Sequence, residues 1–223
     1  MLNIRVNRDN EESEGDDHGY QGSAETPLRA DAFDLSDIEK IEQIKKHFAE
    51  IMHIMGMDMS DDSLKNTPER VAKMFIKEIF SGLNPENKPK MSQFDNKYQY
   101  NQMLVEKDIT LYSYCEHHFV PIIGKVHVAY ISNGTVVGLS KINRLVQYFG
   151  RRPQVQERLT IQIAQALSEE LNTPDVAVVI EADHLCVASR GVRDTSSKTI
   201  TVQYLGKFKE EASKSEFLEL IRG

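Results

Sequence analysis

The chain has 223 residues, of which 40% are apolar and 27% charged, and its formal net charge is −7. Its apolar runs stay well short of the roughly 18 residues that suggest a membrane span, so a globular protein is expected. Residues 1–34 contain nine acids against three arginines, a charge of −6 that leaves −1 for the rest. The acidic net charge therefore comes mainly from residues 1–34. It disfavours a nucleic-acid-binding surface, but it is compatible with binding of an anionic ligand to the rest of the chain.

The first hundred residues divide into two parts. Residues 1–33 are acidic and poor in apolar side chains, which predicts a disordered tail. Residues 34–100 are interpreted as a helical region, because Ile41, Ile44, Phe48, Ile51 and Met55 recur at helical spacing before Gly56. A second helix is predicted from Thr67 as N-cap, with Pro68 at its first position, to about Gly82, followed by a loop over 84–100.

Residues 101–223 are expected to form the catalytic domain. Asn133-Gly134 between two strand-like segments, 125–131 and 135–139, predicts a β-hairpin. Two amphipathic helices follow, one around residues 140–150 and one from Val155 to Leu171. Strands are then predicted over 175–187 and 199–205. This order favours an α+β fold with a mostly antiparallel sheet.

Cys115 and Cys186 are the only cysteines in the sequence. The first residues lack a secretory pattern, so a cytoplasmic location is expected, where a disulfide is improbable and metal binding or catalysis more common. In Cys115-Glu116-His117-His118, one turn of helix or a tight turn would aim Cys115 and His118 at one point. A strand would likewise place His184 and Cys186 on one face, although a buried, satisfied histidine is the simpler explanation for His184.

Thiolate and imidazole are donors that zinc favours. Two cysteines and one histidine would leave a coordination position open, as in catalytic zinc sites. A closed site with two Cys and two His ligands is the alternative. The spacing modestly favours the catalytic arrangement.

Cations at the start of a helix indicate where an anion would bind. Lys141 and Arg144 lie in the first turn of a predicted helix whose N-cap is Ser140. Because they oppose the helix dipole, bound phosphate explains them better than an exposed surface does. Arg190 and Arg193 are expected to join the same cluster. Glu157 would by default be an ordinary helical acid, but a carboxylate that faces a cleft suits paired N–H donors such as those of guanine.

Four collinear stretches carry a family resemblance, and they are Ser113–His118, Gly138–Arg144, Arg152–Thr160 and His184–Cys186. With these motifs the chain, from about Ser36 onward, closely resembles GTP cyclohydrolase I. The predicted helix at Thr67 is similar to that family as well. One departure is Gly150, where Ala or Ser is usual; it bears no chemical group of the proposed site.

The resemblance implies hydrolysis of GTP at C8 of the guanine, with release of formate and formation of 7,8-dihydroneopterin triphosphate, the entry to folate and other pterins. It implies one Zn²⁺ per subunit on Cys115, His118 and Cys186. His117 and His184 would move protons, Ser140 would act at the ribose, and Glu157 and Gln156 would contact the guanine. Lys141, Arg144 and Arg190 would hold the triphosphate, joined by Arg70 and Lys73 of a neighbouring subunit.

The family fold is the tunnelling fold, in which antiparallel sheets of several subunits join into a barrel, usually in a toroidal decamer with active sites at subunit interfaces. No nucleic-acid or membrane partner is expected. Two alternatives remain. One is a non-catalytic, zinc-stabilised pterin- or nucleotide-binding protein. The other is a related tunnelling-fold enzyme that acts on a pterin.

Overall fold

The computed structural model describes residues 25–222, so most of the predicted tail lies outside the described residues. The helices are α1 (Asp37–Ile54), α2 (Thr67–Lys73), α3 (Leu139–Gly150), α4 (Gln156–Leu171), α5 (Leu185–Ala188) and α6 (Glu211–Ile221). The strands are β1 (Gln93–Asp95), β2 (Met103–Cys115), β3 (Pro121–Ile131), β4 (Thr135–Val137), β5 (Pro153–Gln154), β6 (Val176–His184) and β7 (Thr199–Tyr204). A π-helical turn (Met74–Ile79) continues α2, and 3₁₀ turns lie at Ser81–Leu83, Pro85–Asn87 and Gly206–Lys209.

The main sheet has the order β5-β2-β3-β6-β7 and is antiparallel except for the short β5–β2 pair. Its register brings distant residues to one end, since Tyr114 pairs with Pro121 and Ile122 pairs with His184. Gln154 of β5 pairs with Cys115 at the same end. We call this the cysteine end of the sheet. The mixed α+β class predicted from the sequence is confirmed.

Helices α3 and α4 cover one face of the sheet with fully buried side chains, among them Ile142, Leu145, Leu159, Ile163 and Leu167. Burying each such side chain stabilises the fold by about 1.5–3 kcal/mol, which fixes both helices against the sheet. The opposite face is partly covered by a smaller cluster in which Phe208 and Phe217 pack on Ala129, Ala177 and Val179. The α3–α4 layer therefore holds the sheet rigidly behind the cysteine end.

The N-terminal helices reach the same end through aromatic contacts. Helix α1 begins at a capping box in which Ser36 and Glu39 satisfy each other's backbone N–H groups. The π-helical turn after α2 places Phe75 with its ring centroid 6.0 Å from that of Phe119, in the loop that follows His118. The chain before α1 also contacts the body, since Thr26 accepts a hydrogen bond from Arg152.

The predicted hairpin at Asn133-Gly134 is wrong. Strand β4 pairs with β1 in a separate two-stranded sheet. Strand β3 already has partners on both sides at that end, because Ile131 pairs with Met103 and Tyr130 with Val176. No free edge of β3 remains for β4 to occupy.

Helix and strand ends differ from the predictions in three places. The N-cap of α2 is Asn66, one residue before the predicted Thr67, and neither Asn66 nor Gly138, the N-cap of α3, makes a side-chain capping bond. Ser140 therefore lies inside the first turn of α3, whose start is tightened by a bond from Lys141 N–H to the Gly138 carbonyl. Strand β6 ends at His184, so Cys186 lies in the short α5. Strand β2 and helix α6 were not predicted.

Over residues 25–222, no helix has the length and apolar character needed to cross a bilayer.

Candidate active site

Three metal-binding side chains meet at the cysteine end of the sheet. The ligand atoms of Cys115, His118 and Cys186 all lie within 4.8 Å of one another. Cys115 is buried at the end of β2, and its N–H and carbonyl bond to Val120 and Phe119, which closes the turn that carries His118. Of the two arrangements expected from the Cys115–His118 spacing, one turn of helix or a tight turn, the structure has the tight turn. Cys186 arrives from α5 and not from a strand, so the predicted period-two alignment with His184 is wrong.

The donor set fits zinc. Two thiolates and one imidazole are ligands that zinc prefers, and three protein donors leave one position for water or substrate. Burial first, and then the nearby Cys115, raise the pKa of the Cys186 thiol. The Cys186 thiol therefore resists ionisation without a cation, whereas a bound metal would deprotonate it. The described residues therefore form a group that can hold a metal ion.

His117 lies beside this group on the same turn. Its Nδ1 is 3.6 Å from the Cys115 Sγ and its Nε2 is 3.8 Å from a carboxylate oxygen of Glu116. Half of its side chain is exposed, so its ring is accessible to solvent. The structure thus places His117 next to the metal-binding group without making it one of the three clustered donors.

A nearly buried ion pair between Arg158 and Glu116 stabilises the turn from Cys115 to His118. Arg158 of α4 donates to both carboxylate oxygens of Glu116, with distances of 2.6 Å for Nη1–Oε2 and 3.3 Å for Nη2–Oε1. The backbone N–H of Glu116 also bonds to the carbonyl of Gln154. This pair was missed in the sequence. The available signal was a charged residue, Arg158, on the apolar side of a helix.

His184 ends β6 and is half-buried. Burial lowers its pKa, and the charges of Glu157 and Asp183 oppose that shift. Its Nε2 lies 2.7 Å from the Oε1 of Gln156. Glu157, at the exposed start of α4, is therefore close enough to His184 to influence its charge, and both face the cysteine end.

A cavity of about 410 Å³ opens beside His184. It is lined in part by Asp183, His184, Asp194, Ser197 and Thr199. Hydrogen bonds from the backbone and hydroxyl of Ser196 lower the pKa of Asp194 to about 2, which keeps this loop anchored by a carboxylate. The volume lies in the range of small-molecule sites.

Gln156 was predicted to contact substrate, but its side-chain amide is hydrogen-bonded to other residues of the same chain. It is buried, and its amide reaches β6, β7 and His184. Arg190 lies at the cysteine end, with Nη1 3.1 Å from the Nε2 of His118. Arg193, in the same loop, adopts a positive φ of 57°.

The phosphate-binding candidates on α3 are not brought to this end. Helix α3 starts after β4, at the opposite end of the sheet, and runs back until Gly150 meets Tyr112 of β2. Its length and the remaining strand place Ser140, Lys141 and Arg144 on the order of 20 Å from Cys115. The expected single cluster of these cations with Arg190 and Arg193 is therefore wrong within one chain.

Arg70 and Lys73 lie exposed on α2, and Lys73 forms an ion pair with Glu69 of the same helix at 2.6 Å. No contact given for the described part of the chain joins either cation to Cys115, His118 or Cys186. One chain therefore supplies the metal-binding group, two histidines, Glu157 and Arg190 at one end, and five further candidates elsewhere.

The α+β sheet ends in a Cys–His–Cys group that could hold a metal ion, with two more histidines nearby. This donor set is typical of metal-dependent enzymes whose metal keeps an open position. Comparison with known proteins identifies the family. A family model described as GTP cyclohydrolase I matches residues 44–222. The chain belongs to the GTP cyclohydrolase I family and is an enzyme of that family.

Individual relatives agree with this assignment. The chain is 60% identical over 208 residues to GTP cyclohydrolase 1 of Flavobacterium johnsoniae, covering 93% of each chain. It is 51% identical over 199 residues to GTP cyclohydrolase 1 of Serratia proteamaculans, covering 89% of each. A solved structure, the archaeosine synthase QueF-Like in its apo form, is 18% identical with a TM-score of 0.40, covering 47% of this chain and 93% of the other.

Proposed function

We propose that the chain hydrolyses GTP at C8 of the guanine, releases formate and forms 7,8-dihydroneopterin triphosphate, the first step of pterin and tetrahydrofolate synthesis. The observation that carries the proposal is the placement of His117, His184 and Glu157 around the Cys115–His118–Cys186 group. Family membership supports the reaction, and the positions of these side chains support the roles that we propose for them.

Zinc is the metal we propose for Cys115, His118 and Cys186. When bound, it supplies Lewis acidity and makes water reactive near neutral pH. Arg190 can only donate hydrogen bonds, so its contact with His118 needs an unprotonated Nε2. If His118 held the metal, its other ring nitrogen would carry hydrogen and could not accept from Arg190. The Arg190 guanidinium would then be available to bind the triphosphate.

His117 and His184 are the proposed proton carriers. Imidazole exchanges protons near neutral pH in both directions, which ring opening and later ring closure require. Burial favours the neutral form of His184, so it is ready to accept a proton. Glu157 beside it is the proposed anchor for the N–H groups of guanine, and this places the purine against His184.

The remaining candidates point to a second copy of the chain. Ser140, Lys141 and Arg144 lie at the far end of the sheet, so we propose that a neighbouring copy presents them, with Arg70 and Lys73, to each metal group. The open edge strand β7 exposes 62% of Ile200 and 47% of Val202, as expected for a strand covered by another subunit. A barrel of joined sheets in a decamer is the assembly we propose. The cytoplasmic location stays a prediction.

The direct test is turnover. Zinc-loaded protein incubated with GTP is expected to release formate and to yield a pterin that fluoresces after oxidation. A correctly assembled, zinc-replete sample that leaves GTP unchanged would refute the activity. A sample that turns over a pterin but not GTP would favour the related enzyme.

Subunit complementation tests the shared site. Cys115→Ala and Arg144→Ala proteins should each be almost inactive, one lacking the metal group and the other a phosphate contact. Unfolded, mixed and reassembled at equal amounts, they should regain about a quarter of wild-type activity, because random assembly restores that share of two-copy sites. Activity that stays at the level of the separate variants would place each site within one chain.

A further inference from the structure

The side chain of Gln156 is 1% exposed and touches different partners at its two ends. Its Nε2 lies 3.2 Å from the carbonyl oxygen of Ile180, 3.0 Å from that of Thr199 and 3.1 Å from the Oγ1 of Thr201. Its Oε1 lies 2.7 Å from the Nε2 of His184. The amide therefore bridges two strands of the sheet and the histidine at the end of one of them.

The orientation of this amide follows from its surroundings. Carbonyl oxygens only accept hydrogen bonds, so the group that faces Ile180 and Thr199 has to be the NH₂ of Gln156. The flipped amide would press Oε1 against two carbonyl oxygens, which is unfavourable because all three oxygens can only accept hydrogen bonds. The oxygen of Gln156 is thereby directed at His184.

Because the Oε1 of Gln156 can only accept a hydrogen bond, it determines which ring nitrogen of His184 carries hydrogen. The Nε2 has to be the N–H that donates to Gln156, so in the neutral ring Nδ1 is the nitrogen with a free lone pair.

We infer that Gln156 is a positioning residue that fixes the tautomer and ring orientation of His184, so that the amide holds Nε2 and Nδ1 is the ring nitrogen left for the reaction. This inference rests on the proposed function, in which His184 carries a proton. Because both N–H bonds of the amide are used inside the chain, the side chain acts on the reaction through His184 and not by donating to the substrate.

The tautomer can be observed without turnover. Zinc-loaded protein labelled with ¹⁵N in its histidine rings is measured by solid-state NMR, and His184→Gln identifies the His184 signals by difference. We expect the Nε2–H tautomer in wild-type protein and a mixture of tautomers in Gln156→Met. A wild-type ring in the Nδ1–H tautomer would overturn the inference, whether or not the protein acts on GTP.

Steady-state kinetics provide a second test of the inference about Gln156. With zinc content unchanged, Gln156→Met should lower kcat on the order of 100-fold while KM stays within about threefold, since a misdirected proton carrier affects the transition state and not binding. Gln162→Met is the matched control, because it removes another buried amide of α4 whose oxygen accepts from Gln154. It should keep kcat within about threefold.

The outcomes separate the two claims. If the wild-type protein releases no formate, the proposed function is refuted, but the NMR measurement still tests the tautomer of His184. If wild type is active, His184→Ala inactive and Gln156→Met fully active, the inference about Gln156 alone is wrong. An equal loss in Gln162→Met would also overturn it, since the effect would then be general to buried amides of this helix.

Discussion

The Arg158–Glu116 ion pair should be worth far more than a surface pair, because its guanidinium is 8% and its carboxylate 20% exposed. Hydrogen bonds to charged groups contribute about 1.5–3 kcal/mol each, but one of the two here is long at 3.3 Å and the Nε of Arg158 is buried without a partner among the described residues. Arg158→Met should therefore cost about 3 kcal/mol, most of it from the largely buried carboxylate left without its partner. At 2–4 °C per kcal/mol, the melting temperature should fall by about 6–12 °C.

A double-mutant cycle isolates the pair. Glu116→Gln combined with Arg158→Met should cost less than the sum of the single changes by about 2 kcal/mol, measured by thermal unfolding at one fixed protomer concentration. The exposed pair Lys125–Asp108, at 2.7 Å, is the control and should show a coupling below about 1 kcal/mol. Equal coupling in the two cycles would refute the argument that burial gives the Glu116 pair its strength.

Three further predictions concern metal binding, acid stability and strand packing. Cys115→Ala should lose metal content and activity together, whereas His117→Ala should keep the metal and lose turnover; metal analysis showing loss in the second variant would reverse the ligand assignment. Burial lowers the pKa of His127, whose Nδ1 accepts the Asp108 N–H, so the unfolded chain binds the proton more readily and stability should fall as pH drops below 6.5. His127→Asn keeps an acceptor and should flatten the urea-unfolding free energy between about pH 5 and 7; an unchanged pH slope would contradict this. Gly124→Ala should destabilise by about 2–3 kcal/mol in the same assay, because its Cβ would lie 2.2 Å from a carbonyl oxygen of β6, and a loss below about 1 kcal/mol would show that the strands can separate.

The helices were the most predictable part of the fold, and the reason is their one-sided burial. The apolar positions of α3 and α4 repeat at helical spacing because only one side meets the sheet, and this side is buried in the structure. Their first residues were less predictable. Gly138 begins α3 without a side-chain cap, although Ser140 offers a hydroxyl that the helix does not use there.

Strand β2 escaped prediction because its pattern is interrupted. Glu106, Lys107 and Asp108 form a polar run in the middle of the strand, and the pairing with β3 shifts between Glu106 and Ile109. Asp108 adopts a φ of 60° at this bulge. A bulge places an extra residue on one strand, so the alternation of apolar and polar side chains is lost over the segment where it would be needed.

The candidate site was predictable only as far as its local geometry. The turn from Cys115 to His118 is set by four consecutive residues, and its spacing predicted the outcome. Cys186 is brought there by the pairing of β3 with β6 and by the end of β6 at His184. The spacing of residues in the sequence does not predict which residues of β3 and β6 pair. Cys186 was therefore chosen as the third ligand because thiolates bind zinc and because of the family resemblance.

Motifs that belong to one reaction need not meet within one chain. A strand advances about 3.3 Å per residue and α3 about 1.5 Å per residue, so two motifs less than 30 residues apart in sequence can stand on the order of 20 Å apart once a rigid sheet lies between them. Ser140 and Cys115 are such a case, since α3 is fixed along β2 by buried side chains and cannot swing its first turn to the cysteine end without exposing them. Either Ser140 has no part in the chemistry at Cys115, or a second copy supplies it. Complementation between Cys115→Ala and Arg144→Ala separates these two cases, because only a site shared between copies can be rebuilt from chains that are each defective at a different end.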